Sequence, residues 1–156
     1  MSAVTYTAPT DDALAHIATH MRAADVEELR IMGRKDPSEA VFKSAEGSDA
    51  VFIAWHEGEP VAVLGVGAVD ILRCTGAPWL LGTDGVEHCG RALLVDGRAA
   101  VQCWRTKYRL LQNAVSVSNE LSVRWLSRIG FSFGTPARTP FGGYVMTFSM
   151  EGTRNV

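Results

Sequence analysis

A chain of 156 residues with 47% hydrophobic content has the length of one domain and enough apolar material for a single core. Acids outnumber bases by only 17 to 15, so no global basic field marks nucleic acid as a partner. The longest apolar run, PVAVLGVGAV, is too short to cross a bilayer, and MSAVTYTAPTDD lacks the basic start and apolar core of a secretory signal. The expectation is one domain over residues 1–156, cytoplasmic, with no membrane partner.

In chain order, residues 3–8 read as a strand. Thr10 is a good N-cap, Asp11 and Asp12 suit the positive end of a helix, and Leu14, Ile17, Ala18 and Met21 form its buried stripe. A second helix starts at about Asp25, uses Val26 and Leu29, and stops at Gly33. Asp36-Pro37-Ser38 opens a short third one. DAVFIAW, the turn HEGEP and VAVLGVGAVD make an antiparallel hairpin over residues 49–70. TGAP ends that unit, and WLLGTD is a further strand.

From Val86 to Tyr108, Leu94, Gly97, Val101, Trp104 and Tyr108 recur at helical spacing, with Asp96-Gly97 a possible interruption. LLQNAVSV is a strand. NELSVRWLSRIGF is a helix capped by Asn119, striped by Val123, Leu126 and Ile129, and closed by Gly130. The tail is a hairpin in which Tyr144, Met146, Phe148 and Met150 alternate with smaller or polar residues. This order supports a mixed α+β class with a largely antiparallel sheet.

Chemistry-bearing patterns are sparse. Three cysteines (Cys74, Cys89, Cys103), an odd number without CxxC spacing, read as reduced thiols. His16 and His20 stand four apart but lack a third ligand, so a solvated flank outweighs a metal site. His88-Cys89 is structural or incidental by the same reasoning. Gly65-Val-Gly67 lacks the third glycine and following helix of a dinucleotide loop, and reads as a bulge or a close backbone approach within a strand. Arg105, Lys107 and Arg109 read as a solvated helix face rather than a phosphate site. Asp84 stands at a strand-to-helix junction, where backbone amides converge on anions; capping is the commoner use of such a residue.

Asn119, Ser122, Leu126, Gly130 and Phe131 together resemble the last block of the GNAT acetyltransferases, and the element order is similar to theirs along nearly the whole chain. The resemblance implies a GNAT fold, acetyl-CoA as cofactor and an amine as acceptor. It places Leu81, Gly82, Thr83, His88, Gly90, Arg91 and Asn119 at cofactor-binding positions. It would set transition-state charge against amides near Leu81 and Gly82, and proton removal at Asp84 or a water it orients.

MRAADVEEL, APWLLGTD, LLQNAVSVSN and SVRWLSRIGF further resemble the GNAT-like proteins of T7-like phages, which include an internal virion or morphogenesis protein. That likeness implies a bacterial host cell and a phage assembly or host protein as partner, and leaves a homodimer open. Two departures stand out. In Gly85-Val86-Glu87-His88-Cys89-Gly90 only the last glycine of the usual pyrophosphate loop survives, with His88 where a glycine is usual. Leu126 occupies the position where many members carry a proton-donating Tyr. A scaffold without catalysis is the competing expectation.

Overall fold

The computed structural model describes residues 3–154. Strand β1 (Val4–Thr7) is followed by three helices, α1 (Asp11–Thr19), α2 (Ala23–Ile31) and α3 (Pro37–Glu46). A meander follows: β2 (Ala50–His56), β3 (Glu59–Asp70) and β4 (Thr75–Gly82). A 3-10 turn, Asp84–His88, leads into α4 (Gly90–Arg105), then β5 (Leu110–Ser116) and α5 (Glu120–Ile129). The chain closes with two short strands, β6 (Ser132–Phe133) and β7 (Ala137–Arg138), and the long β8 (Tyr144–Glu151). The sheet order is β1-β2-β3-β4-β5-β8-β6, with β7 also on β8. Every pairing is antiparallel except β4 with β5.

Local chemistry sets the elements. Thr10 Oγ1 accepts from Ala13 N at 3.2 Å, and Asp36 Oδ1 accepts from Ser38 N at 3.0 Å ahead of Pro37 in the first turn of α3. Glu57 and Gly58, both at positive φ, form the two-residue turn between β2 and β3. Gly65 is a close approach, since a Cβ there would lie 2.5 Å from Ala50 O. One face of the sheet packs Ile53, Val63 and Leu81 against Leu14, Ile17 and Val41 of α1 and α3. The other packs Leu111, Val115 and Phe148 against Val101 and Trp104 of α4 and Leu126 and Ile129 of α5.

Four elements differ from the sequence reading. Helix α2 begins at Ala23 and turns Asp25 inward, fully buried, while Val26 is exposed. TGAP is the first half of β4, because Pro78 falls where the strand needs no N–H toward β3. The segment before α4 is a tight turn rather than helix, and α4 passes through Asp96-Gly97 without a break. Gly97 is there for packing: a Cβ would come within 2.6 Å of Trp125 Cζ2 on α5. The first strand of the last hairpin is split into β6 and β7, and the returning strand β8 is continuous.

A candidate active site in the gap between β4 and β5

The parallel strands β4 and β5 pair only at Thr75 with Leu110 and Gly76 with Leu111. Beyond that point they diverge. Thr83 N donates to Val61 O, so by strand alternation the amide of Leu81 also faces β3, and those of Leu80 and Gly82 face the gap. Most gap-facing groups are occupied by side chains. Asn113 donates from Nδ2 to Pro78 O at 2.9 Å, and its Oδ1 accepts from Ala114 N at 2.8 Å. Ser116 N donates to Glu28 Oε1 at 2.6 Å, and Gly82 N to Asp25 Oδ2 at 2.9 Å. The amide of Leu80 has no such side-chain partner. A largely apolar cleft of about 210 Å³ runs through the gap, from Glu28, Met32 and Arg34 on one side to Gly90, Leu93 and Trp125 on the other.

A polar cluster bridges the open end. Arg22 Nη1 donates to Asp25 Oδ1 at 2.8 Å, and Asn119 Nδ2 donates to Asp25 Oδ1 at 3.0 Å and Glu28 Oε2 at 3.2 Å. Asp25 is 0% exposed and Asn119 1%. Burial pushes the Asp25 carboxyl above the ordinary carboxylate range, against the pull of the Arg22 guanidinium. Burial raises Glu28 to about 7, with Asp25 adding like-charge repulsion and the Ser116 amide opposing both. Glu28 is half-buried and lines the cleft. A carboxyl there is half ionised near neutral pH, the condition a general base needs.

The expected site residues separate into groups. Leu81 is buried in β4, Gly82 is tied to Asp25, and Thr83 is buried at the cap of the 3-10 turn, its hydroxyl accepting from Gly85 N. Asp84, Glu87 and His88 lie exposed on the 3-10 turn, and Asp84 does not line the cleft. Gly90 borders the cleft, and a Cβ on it would meet nothing within 4 Å. Arg91 is exposed in the first turn of α4, which has no side-chain cap, so its leading amides are available to an anion. Asn119 holds the cap position of α5 but makes no capping bond; its side chain is spent on the polar cluster instead. Burial raises the Cys89 thiol, so it is not an activated nucleophile. His16 stacks on His20 at 4.3 Å near Glu59, and no metal-holding cluster occurs among the described residues.

Comparison with solved structures sets this geometry in a known frame. The chain superposes on an AAC(6')-Ib structure with ribostamycin and coenzyme A at TM-score 0.66 and 19% identity, covering 95% of this chain and 93% of that one. The ribosomal-protein-S18-alanine N-acetyltransferase of Escherichia coli gives 0.66 at 16% identity, over 99% and 97% of the chains. A ribosomal L7/L12 α-N-protein acetyltransferase with coenzyme A gives 0.67 at 10%, over 97% and 96%. The fold is the GNAT fold. No protein-family model matches the sequence, and no curated protein matches it. The GNAT architecture expected from the element order is thus shown at the level of fold, and none of these neighbours is a phage protein by its description.

Within this GNAT fold, Arg22, Glu28, Leu80 and Asn113 had no role legible in the sequence, and Asp25 was legible only as a helix start. A signal existed for three of them. Asp25 and Glu28 stand three apart on the face of α2 that also carries Leu29, and Arg22, three residues before Asp25, holds the N-cap position of that helix. Charge on the buried side of a short helix marks a polar site. The roles of Leu80 and Asn113 depend on where two strands part, which no local pattern encodes.

Proposed function

We propose that the protein is an acetyl-CoA-dependent N-acetyltransferase acting on a primary amine, with Glu28 as general base. The observation that carries this reading is a carboxyl raised to about 7 that lines the same cleft as Leu80, whose amide has no side-chain partner. The residues present fit the cofactor. An uncapped α4 N-terminus with Gly90 and Arg91 suits a diphosphate, and the apolar gap suits an extended arm. When bound, acetyl-CoA supplies an activated acyl thioester. Glu28 takes a proton from the acceptor amine, which arrives from the side of Met32 and Arg34. Leu80 N–H, free of a side-chain partner, meets negative charge developing in the gap, the role first expected near Leu81 and Gly82. Asp25, Arg22 and Asn119 hold Glu28 in place.

A second reading is a GNAT scaffold without acetyl transfer, working with phage assembly or host proteins. The Asn113 bridge across the gap favours it, as do Leu126 and His88 at positions where the family usually carries other residues. Calorimetric titration with acetyl-CoA, followed by thiol release against aminoglycoside, polyamine and peptide amines, separates the two. The enzyme reading expects micromolar binding, turnover, and a drop of about 10²–10⁴ in kcat for Glu28→Gln. No heat at millimolar acetyl-CoA sinks it, and co-purification with virion proteins would then support the scaffold.

A further inference from the structure

At the end of the sheet away from the polar cluster, the turn between β3 and β4 carries Ile71 at 87% and Leu72 at 92% exposure, with Val69 at 64% beside them. These are large apolar side chains projecting on a turn with nothing over them. Directly next to them lies an open cleft of about 570 Å³ lined by Arg73, Arg109 and Arg154. The two features are joined: Arg109 N donates to Cys74 O, the Cys74 thiol donates to Lys107 O at 3.5 Å, and Arg154 Nη1 donates to Lys107 O at 2.9 Å. The side chains of Lys107 and Arg109 have no hydrogen-bond or ion-pair partner among the described residues. Glu151 also borders the cleft, and Asp70 accepts from Arg73 N and lies 3.7 Å from its Nε, so bases outnumber acids there.

We propose that this end of the molecule docks on an anionic lipid surface, Ile71 and Leu72 entering the headgroup boundary while Arg73, Lys107, Arg109 and Arg154 meet lipid phosphates. Two projecting apolar side chains beside the unpartnered Arg109 guanidinium and Lys107 ammonium, with Arg73 and Arg154 adding positive charge from partnered groups, match the requirements of interfacial binding, apolar insertion plus attraction to anionic headgroups. They match a protein partner less well, because a stable protein interface needs a broad complementary patch of roughly 800 Å² a side rather than a tip. The basic cluster noted in the sequence as a solvated face thereby acquires a ligand. The site is separate from the gap: β4 runs from Thr75 to Gly82, roughly 23 Å at strand rise.

The test is co-sedimentation of the full chain with phosphatidylcholine vesicles, alone or mixed with phosphatidylglycerol. Binding should require phosphatidylglycerol and fall as salt rises. Ile71→Ser with Leu72→Ser should lower partitioning about tenfold or more. Arg109→Gln should lower it about fivefold. All three positions are at the surface or the cleft, so an unchanged melting temperature confirms that each variant folds. Equal binding to both vesicle types, no binding to either, or indifference to the Ile71/Leu72 change overturns the proposal. Titration with inorganic phosphate and with an RNA oligonucleotide completes it. Arg109-dependent binding to either probe without vesicle binding also overturns it, in favour of a plain anion site.

Discussion

In the proposed reaction, Glu28 would tie stability and activity to the same proton. Its carboxyl holds a proton up to about 7 in the folded chain, against an ordinary value of 4.5. The folded state therefore binds more protons than the unfolded one between these values, and stability falls as pH rises from about 4.5 to about 7. The shift corresponds to about 3 kcal/mol at most. Glu28→Gln should match the parent in urea unfolding at pH 4.5 and exceed it by about 1–2 kcal/mol at pH 8. In the parent, the acetyl-transfer rate should climb with pH to a plateau above about 7, because the base must be ionised. Asp25 carries a different prediction. Removing its carboxyl in Asp25→Ala leaves Arg22 buried without its ion-pair partner, and urea denaturation should show a loss of about 3–5 kcal/mol. Residue types alone did not announce these roles. Asn119 shows why: an Asn at a helix start reads as a cap, and only the approach of α2 reveals that its amide serves Asp25 and Glu28.

Elements with strong local signals were legible. Thr10, Asp36 and the Glu57-Gly58 turn act where their chemistry places them, and α5 stops at Gly130, whose φ is +120°. Boundaries set by tertiary contacts were not legible. Helix α4 passes through Gly97 because Trp125 packs on it, a contact 28 positions away in sequence that no window captures. Gly97→Ala should cost about 1–3 kcal/mol by overpacking the α4–α5 contact, measured from the urea midpoint. Asn113→Ala removes two hydrogen bonds that link β5 to itself and to β4, and should cost about 1–2 kcal/mol in the same assay. His88→Gly bears on the turn before α4. The side chain is exposed, so stability should barely change, and calorimetry should show tighter acetyl-CoA binding where the imidazole had crowded the approach.

The whole molecule is two blocks of sheet, β1–β4 and β5–β8, joined at one end by two residue pairs and at the other by the Arg22–Asp25–Asn119 cluster. A ligand seated between the blocks should stabilise both. Acetyl-CoA at a hundred times its dissociation constant should add about 2.7 kcal/mol and raise the melting temperature by about 5–10 °C, read by scanning calorimetry. This arrangement also explains why the sheet does not simply close. Facing strand edges in one molecule would zip into a continuous ladder, as free edges do between molecules. Here Pro78 has no N–H to offer, and the amides of Ala114, Ser116 and Gly82 are already saturated by Asn113, Glu28 and Asp25. The protein thus carries inward the edge protection that other sheets wear on their rims, and the groove stays open because the Leu80 amide alone is left without a side-chain partner among these donors, too few to start a ladder.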